Sequence, residues 1–386
     1  MKKIALLELQ EHQEILFGYI ELLLVQDLQL CVFAPDFMHQ QSKSEWLDNP
    51  KISWHLRSDL ESGAEFVKRN WEVINSTDLI LFTTLIREFA FFATANFRPP
   101  TILLIIKGNF FLAPNKNIKL SNFKDGLRYL ARIIRRDDHF RKKLLEKFNY
   151  FSLAEPLLLE HLKPFVPPQC NFLPELPYTF CTPTSVVNNP IQIVIPGTVS
   201  NLIRDFDALK ASLQVADPLF KTPVNCILLG NAGTLRAKPI LKWVQELEFQ
   251  NISFQTFQNM VPEHQYLKIL RQADFLVLPL LEVIRFGVIK ESYGKTCLSG
   301  GINDMLRFGK PTLLPSFYPL HPTLNQLTRR YQNTDELAQL LLEWVNERAY
   351  QTVAESAANL LSSFSKERRS QDLMEILKPA LNFIEK

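Results

Sequence analysis

The chain has 386 residues, a length that corresponds to two or three domains of ordinary size. Hydrophobic residues make up 46% and charged residues 22% of the sequence, which excludes a disordered, collagen-like or coiled-coil protein. The formal net charge of +3 is too small for the chain-wide basic surface of a nucleic-acid-binding protein.

The five cysteines and the apolar runs indicate a cytoplasmic location. The cysteines are widely spaced and form no CxxC pair, which favours reduced thiols over disulfides or a zinc site. The longest apolar runs, 102–106 and 275–281, are far shorter than the roughly 20 residues of a membrane-spanning helix. Lys2 and Lys3 are similar to the start of a signal peptide, but glutamates interrupt the apolar stretch that follows. We therefore expect a first strand and helix there.

The first half of the chain alternates short apolar runs with segments of helical spacing, which predicts strands connected by helices. Runs that are apolar on both faces are typical of parallel strands covered by helices on both sides. The predicted strands are 3–9, 28–33, 78–82, 101–106 and 150–153, and the predicted helices lie near 15–26, 63–74 and 87–95.

Segment 124–147 carries nine Lys or Arg residues against four acidic ones, with apolar residues near helical spacing. This pattern predicts two basic amphipathic helices with a break around Asp137 and Asp138. Such helices suit an anionic membrane surface, and a basic face in contact with water explains the composition equally well.

Segment 164–190 contains seven prolines, which disfavour both helix and central strand. We interpret it as a stiff linker with a domain boundary near residue 180. The sequence therefore predicts an N-terminal domain at 1–180, a second domain at 181–365 and a C-terminal helix within 366–386.

The second half repeats the alternation of strands and helices. The predicted strands are 191–195, 225–229, 252–254, 274–279 and 312–314, and the predicted helices are 205–213, 236–247, 263–271, 301–308, 335–346, 349–364 and 368–383. We therefore predict an α/β protein with two Rossmann-like domains, each a doubly wound parallel sheet, which face each other across a cleft.

Ligands of open α/β sheets bind beyond the carboxyl ends of the strands, so the loops after the strands are the places to inspect. His12 follows the first predicted strand, and a group that shares a proton is useful there, which makes it our candidate catalytic residue. A surface histidine bonded to a nearby backbone group is the alternative interpretation.

The loop after strand 191–195 contains Gly197, Thr198 and Arg204. Glycine lets backbone N–H groups approach a ligand, the threonine adds a hydroxyl donor, and arginine can bind a phosphate with its planar fork. An ordinary strand–loop–helix connection is the alternative. The later Gly230–Gly233 segment is not GxGxxG, which disfavours an NAD-dependent oxidoreductase.

The segment after residue 293 is the richest in candidate binding groups. Ser299, Gly300 and Gly301 would open a helix, where unpaired N–H groups and the helix dipole suit a phosphate. Asp304 lies one turn further and can accept hydrogen bonds from ribose hydroxyls. Gly309 would end this helix. A plain helix capped by Ser299 remains the alternative.

Several of these motifs occur in one order. That order resembles the nucleotide-binding domain of GT-B glycosyltransferases, in particular the large retaining family of cell-surface polysaccharide biosynthesis. The resemblance covers about residues 190–345. The matching pieces are Ile-Val-Ile-Pro-Gly-Thr at 193–198, Cys-Ile-Leu-Leu-Gly at 226–230, Ala-Asp-Phe-Leu-Val-Leu-Pro at 273–279, Asn-Asp-Met-Leu-Arg-Phe-Gly-Lys-Pro at 303–311 and Asn-Thr-Asp-Glu-Leu at 333–337.

The resemblance implies a hexosyltransferase that takes a UDP- or GDP-sugar as donor, needs no metal or other cofactor, and acts on a glycan or lipid-linked acceptor. It also implies a C-terminal helix that returns to the first domain. Asp304 stands where the family has its second Glu, which binds ribose, and Thr296 where it has its first Glu, which contacts the donor sugar.

The resemblance also bears on the donor's diphosphate. Thr198 stands where a phosphate-binding Arg often follows the glycine, which leaves Arg204, Lys290 or Lys295 to neutralise that charge. The expected location is the cytoplasm, and peripheral contact with the inner membrane face is the alternative that stays open. A non-catalytic GT-B-like partner of another transferase is the second hypothesis, motivated by Thr296.

Overall fold

The structure, a computed structural model, describes residues 1–382. These residues divide into two units. Unit 1 contains Met1–Phe180, Phe286–Glu291 and the segment that begins at Lys366. Unit 2 contains Cys181–Arg285 and Ser292–Ser365. All five cysteines lie in the described part of the chain, and no disulfide joins any two of them.

The core of unit 1 is a six-stranded sheet in which every pairing is parallel. Its strands in chain order are β1 (Lys2–Glu8), β2 (Leu28–Pro35), β3 (Ile52–Arg57), β4 (Leu79–Thr84), β5 (Thr101–Ile105) and β6 (Tyr150–Leu153). The spatial order is β3-β2-β1-β4-β5-β6, so the order reverses between β1 and β4. The central strands β4 and β5 are buried along their whole length, as their apolar sequences predict.

Ten helices of unit 1 precede residue 163: α1 (Gln13–Leu23), α2 (Asp36–Gln40), α3 (Ser44–Leu47), α4 (Gly63–Arg69), α5 (Trp71–Asn75), α6 (Phe89–Phe92), α7 (Gly108–Leu112), α8 (Phe123–Ile134), α9 (Asp137–Lys147) and α10 (Pro156–Leu162). Short 3-10 turns lie at Pro114–Lys116 and Lys163–Phe165. Most of these helices are short.

Three predictions for unit 1 need correction. The helix expected at 87–95 is confined to α6, because Glu88 adopts a left-handed backbone with φ of 58°. The helix expected at 63–74 is two helices with a break at Asn70. The two basic helices exist, but the break falls at Arg135 and Arg136, since Arg136 has φ of 53° and Asp137 already begins α9.

The proline-rich segment is not a linker along its whole length, because 171–180 packs on unit 1. Backbone hydrogen bonds join Asn171 and Leu173 to Phe151 of the edge strand β6 at 2.9 and 2.8 Å. Further along, a Cβ at Gly18 of α1 would lie 1.9 Å from the carbonyl oxygen of Tyr178, so only glycine permits this approach. The prolines remove donors but leave the carbonyls free to accept hydrogen bonds.

Unit 2 repeats the strand order of unit 1. Its sheet has the spatial order β14-β13-β10-β7-β8-β9, and every pairing is parallel. The strands after residue 180 are β7 (Ile191–Pro196), β8 (Val224–Asn231), β9 (Ile252–Phe257), β10 (Phe275–Val277), β11 (Val283–Phe286), β12 (Ile289–Ser292), β13 (Thr312–Pro315) and β14 (Thr328–Tyr331). Here the order reverses between β7 and β10. Strands β11 and β12 form a separate two-stranded hairpin, which the sequence analysis missed.

The helices of unit 2 are α11 (Phe206–Ala216), α12 (Lys238–Glu246), α13 (Glu263–Gln272), α14 (Gly300–Phe308), α15 (Thr334–Asn346) and α16 (Tyr350–Leu361). Short 3-10 turns lie at Asp217–Leu219, Pro322–Leu327 and Ser362–Phe364. Gly309 ends α14 in the left-handed conformation with φ of 61°, as predicted.

The last helix, α17 (Lys366–Leu381), belongs to unit 1. Its Leu373, Leu377 and Leu381 are buried, and Ser370 Oγ donates a hydrogen bond of 2.7 Å to the Leu22 carbonyl at the end of α1. The prediction placed the end of this helix at Phe383, which lies outside the described residues. The predicted fold class, an α/β protein with two Rossmann-like parallel sheets, is confirmed.

Candidate functional site

The candidate residues of unit 2 gather where the strand order of the sheet reverses, which is the usual ligand position in an open α/β sheet. The loop after β7 and the loop after β10 meet there. The Asp205 N–H donates a hydrogen bond of 2.6 Å to the Pro279 carbonyl, and Arg204 pairs with Leu280 in an isolated antiparallel bridge. These contacts bring the predicted glycine loop and the loop after β10 to one edge, and the start of α14 lies there as well because Gly301 approaches Leu278.

Gly197 and Arg204 are in direct contact. Gly197 has φ of 92°, and a Cβ there would lie 2.4 Å from Arg204 Nη2, so the guanidinium occupies the space that a side chain would need. Arg204 is only 4% exposed, and its Nη2 donates to the Pro196 carbonyl. Its Nε is buried without a hydrogen-bond partner among the described residues. The arginine therefore brings positive charge beneath the loop.

Asp304, the predicted ribose-binding residue, lies near this guanidinium. Tyr266 on α13 donates a hydrogen bond of 2.8 Å to Asp304 Oδ2. Burial lowers the pKa of Arg204, and the groups of Tyr293, Tyr266 and Asp304 act in the opposite direction. The structure therefore brings together Gly197, Arg204 and Asp304, which are far apart in the sequence.

The N-terminus of α14 has one open and one crowded glycine. A Cβ at Gly300 would meet no atom within 4 Å, whereas a Cβ at Gly301 would lie 2.6 Å from Leu278 Cδ2. Ser299 is the buried N-cap residue, and its side chain makes no capping hydrogen bond. Gly301 lets the helix approach the end of β10, and Gly300 leaves room for a ligand in front of the first turn.

The two lysines predicted to neutralise a diphosphate occupy different units. Lys295 is in unit 2, and its Nζ forms an ion pair of 2.9 Å with Glu282. Lys290 belongs to unit 1, where its backbone N–H donates a hydrogen bond of 2.9 Å to the Asn117 carbonyl. The hydroxyl of Thr296 accepts a hydrogen bond of 2.8 Å from the Ser292 N–H of its own loop. Thr198 is exposed.

In unit 1, His12 lies between β1 and α1 at the carboxyl edge of the sheet. Its side chain is 32% exposed, and its Nδ1 lies 3.0 Å from Glu14 Oε1. Burial lowers the pKa of His12, but the hydrogen bond and charge of Glu14 and the charge of Glu8 outweigh it. The pKa of His12 is therefore raised above its usual value of 6.5.

Glu8, at the end of β1, is a fully buried carboxylate that the sequence analysis did not select. The hydroxyls of Thr83 and Thr84 donate hydrogen bonds of 2.5 and 2.8 Å to its Oε2. Burial raises the pKa of Glu8, while the His12 charge and these hydrogen bonds oppose the shift. Glu8 therefore links the ends of β1 and β4 beneath the His12 loop.

His12 also lines a cavity of about 410 Å³ within unit 1. The cavity lies at the reversal of the strand order, between the loops that follow β1 and β4. The sequence analysis missed its other polar groups because they come from separate elements. Four of them are arginines: Arg87, Arg128, Arg132 and Arg135.

Residues 1–382 contain neither a metal-binding cluster nor a helix that could span a membrane. In that range, no three His, Cys, Asp or Glu side chains are grouped so that they could hold a metal ion. No helix within it has both the length and the apolar character that crossing a bilayer requires.

Two Rossmann-like units that both have this strand order define the GT-B fold, and solved structures agree with that assignment. Anabaena HepE, crystallised with UDP and glucose, superposes with a TM-score of 0.63 at 14% identity, covering 98% of this chain and 100% of its own. Sucrose-phosphate synthase from Thermosynechococcus elongatus gives a TM-score of 0.62 at 11% identity, with 100% of both chains covered.

A third solved structure matches part of a longer protein. The pneumococcal O-GlcNAc transferase GtfA, in complex with UDP and GlcNAc, gives a TM-score of 0.50 at 12% identity, covering 83% of this chain and 60% of its own. No protein-family model matches the sequence, and no curated protein matches it either. The comparisons therefore establish a shared GT-B fold.

Proposed function

We propose that this protein is a glycosyltransferase that takes a nucleotide-diphosphate sugar as its donor. The observation that carries the proposal is the open start of α14, where Gly300 has free space in front of it and Asp304 and Arg204 lie close by. A diphosphate there would receive N–H donors and the positive end of the helix dipole. Asp304 would accept hydrogen bonds from the ribose.

The solved structures of the same fold support a uridine nucleotide. HepE was crystallised with UDP and with UDP-glucose, and GtfA with UDP and GlcNAc. Gly197, Thr198 and Lys295 remain proposed donor-binding residues alongside Ser299 and Gly301. The buried charge of Arg204 would act through the Gly197 loop and offset the charge that develops as the nucleotide leaves.

Titration with UDP and GDP by calorimetry tests the proposal. We expect Gly300→Asp to weaken nucleotide binding at least about tenfold, because a carboxylate would then occupy the favoured end of the helix dipole. Gly300→Ala is the matched control, since its Cβ meets no atom within 4 Å and it adds no charge. If neither nucleotide binds the unaltered protein, the donor proposal is wrong.

A non-catalytic GT-B-like protein is the second candidate, favoured by one observation. Thr296 stands where the resemblance places a Glu for the donor sugar, and its hydroxyl is already bonded to Ser292. Slow release of free sugar from UDP-glucose separates the two candidates. Hydrolysis above the spontaneous rate, lost in His12→Ala, supports the enzyme; nucleotide binding without any turnover, with or without added acceptor, supports the partner.

We also propose that unit 1 lies on an anionic membrane, where it would meet a lipid-linked acceptor of cell-surface polysaccharide biosynthesis. Helix α8 carries an apolar stripe at helical spacing, and its members are 51–82% exposed: Phe123, Leu127, Leu130 and Ile134. The exposed lysines of α8 and α9, Lys124, Lys142 and Lys143, add positive charge to this part of unit 1 and complement anionic lipid headgroups. An exposed apolar stripe together with basic residues is typical of a helix that lies in the interface plane of a bilayer.

A further inference from the structure

We propose that the arginine-lined cavity of unit 1 binds the phosphate group of an anionic acceptor. This inference rests on the proposed function, because it names the class of the second substrate. The cavity of about 410 Å³ is in the range of small-molecule sites. It lies where the strand order of the first sheet reverses, which is the ligand position of such sheets.

The arginines converge from separate elements. Arg87 comes from the loop after β4, whereas Arg128, Arg132 and Arg135 lie on or just after α8. Their spacing of four and three residues places them along one face of the helix. His12 lines the same cavity from the loop after β1.

Several guanidinium groups keep N–H donors for a ligand. Arg135 uses Nε and Nη2 for Asp137, which leaves Nη1. Arg87 is exposed and makes no hydrogen bond or ion pair within residues 1–382. Carboxylates hold the three arginines of the α8 segment in place, and a bidentate phosphate contact requires such oriented forks.

The charge behind the cavity is also not balanced. The buried side chains of Arg132 and Arg141 donate to the same oxygen, Oδ1 of Asp138, so two guanidinium groups share one carboxylate. Arg132 also lies 5.5 Å from the ring centroid of Phe110. The lining itself also contains Glu11 and Asp137, so four arginines face two carboxylates and the cavity keeps a net positive charge. Beside the ring of Phe110 the environment is partly apolar, and there an anion is stabilised more strongly than in water.

The rest of the lining suits an acceptor that has an apolar or sugar part beside its phosphate. Phe110, Ile86, Phe286 and Val288 form apolar walls next to the arginines. A phosphorylated lipid and a soluble sugar phosphate share the phosphate that the arginines would bind. They differ in what would contact these walls.

Calorimetric titration of the full chain with geranyl phosphate and with glucose 6-phosphate, each in the presence of saturating UDP, tests the inference. UDP occupies the proposed donor site and removes competition there. We expect at least one probe to bind. Binding of geranyl phosphate indicates a lipid phosphate as the acceptor, and binding of glucose 6-phosphate indicates a sugar phosphate. Arg87→Gln combined with Arg135→Gln should weaken its binding at least about tenfold, the loss expected for charge-assisted hydrogen bonds.

Lys124→Gln is the matched control, because Lys124 lies on the same helix, is exposed and does not line the cavity. It should leave probe binding unchanged. The inference is overturned if neither phosphate binds, or if the double variant binds like the unaltered protein while its thermal unfolding is unchanged. UDP affinity, measured on the same variants, reports on the donor site separately. If the unaltered protein does not bind UDP, the proposed function is contradicted. Phosphate binding that depends on the arginines would still support this cavity as an anion site.

Discussion

At the scale of single residues, the pKa of His12 links the structure of unit 1 to the pH dependence of its stability. Glu14 and Glu8 favour the imidazolium, so its pKa lies above 6.5 in the folded protein. The folded state therefore binds this proton more tightly than the unfolded chain does. The contribution of this proton to folding stability is fully present below the pKa that His12 has in the unfolded chain. It is lost as the pH rises through the higher pKa that His12 has in the folded protein.

We predict that Glu14→Gln lowers the pKa of His12, because it removes the charged partner 3.0 Å from Nδ1. A titration of the imidazole signals by NMR measures the change. Glu11→Gln is the control, since Glu11 is next to His12 in the sequence but does not contribute to its shift. An equal fall in both variants would show that general surface charge, rather than the Glu14 contact, raises the pKa.

The sequence alone was enough to select most candidate residues, but it did not predict which residues pack around them. Gly300 and Gly301 could be recognised as the start of a helix because glycine and helix signals are local. The burial of Arg204 depends on a neighbouring loop turning back over it, which no local pattern records. The arginine cavity was missed for the same reason, since Arg87 and Arg128 meet only after two distant elements pack together.

At the scale of elements, the sequence predicted central strands better than edge strands. The missed strands β3 and β14 are both at the edge of a sheet, and the prediction for β9, another edge strand, ended three residues early. The edge strand β6 is the exception: it was predicted with its observed bounds, and residues 171 and 173 cover it. Edge strands are covered less completely, so their sequences mix polar and apolar residues. Their pattern therefore lacks the continuous apolar run that identifies buried parallel strands.

Helix α8 allows a test of the membrane proposal at this scale. We predict that Phe123→Ser with Ile134→Ser reduces partitioning onto vesicles containing anionic lipid at least about tenfold, because two large apolar side chains no longer enter the bilayer interface. Vesicle co-sedimentation measures the partitioning. Leu60→Ser is the control, since Leu60 is 99% exposed but lies outside α8. Equal partitioning of the double variant and the control would contradict the proposal.

At the scale of the whole molecule, the chain ends in the unit where it began. Leu377 of α17 is fully buried in unit 1. We predict that Leu377→Ala lowers the free energy of unfolding by about 2–5 kcal/mol, the usual cost of such a cavity. Hydrogen exchange should show faster exchange in α1 and β1, which belong to the same unit.

The exposed Gln371 of the same helix provides the control, because Gln371→Ala removes no buried surface. Amides of unit 2 should keep their exchange rates in both variants. Faster exchange spread evenly through both units would contradict a role of α17 confined to unit 1.

The hydrogen bonds of Asn171 and Leu173 to β6 have a consequence for the behaviour of the protein in concentrated solution. An uncovered outer strand offers its backbone groups to any other chain and so invites intermolecular β-pairing. Here the backbone N–H and carbonyl of Phe151 in β6 already form hydrogen bonds with residues 171 and 173 of the same chain. The same few residues that lead towards unit 2 thereby protect the β6 edge of the first sheet from self-association.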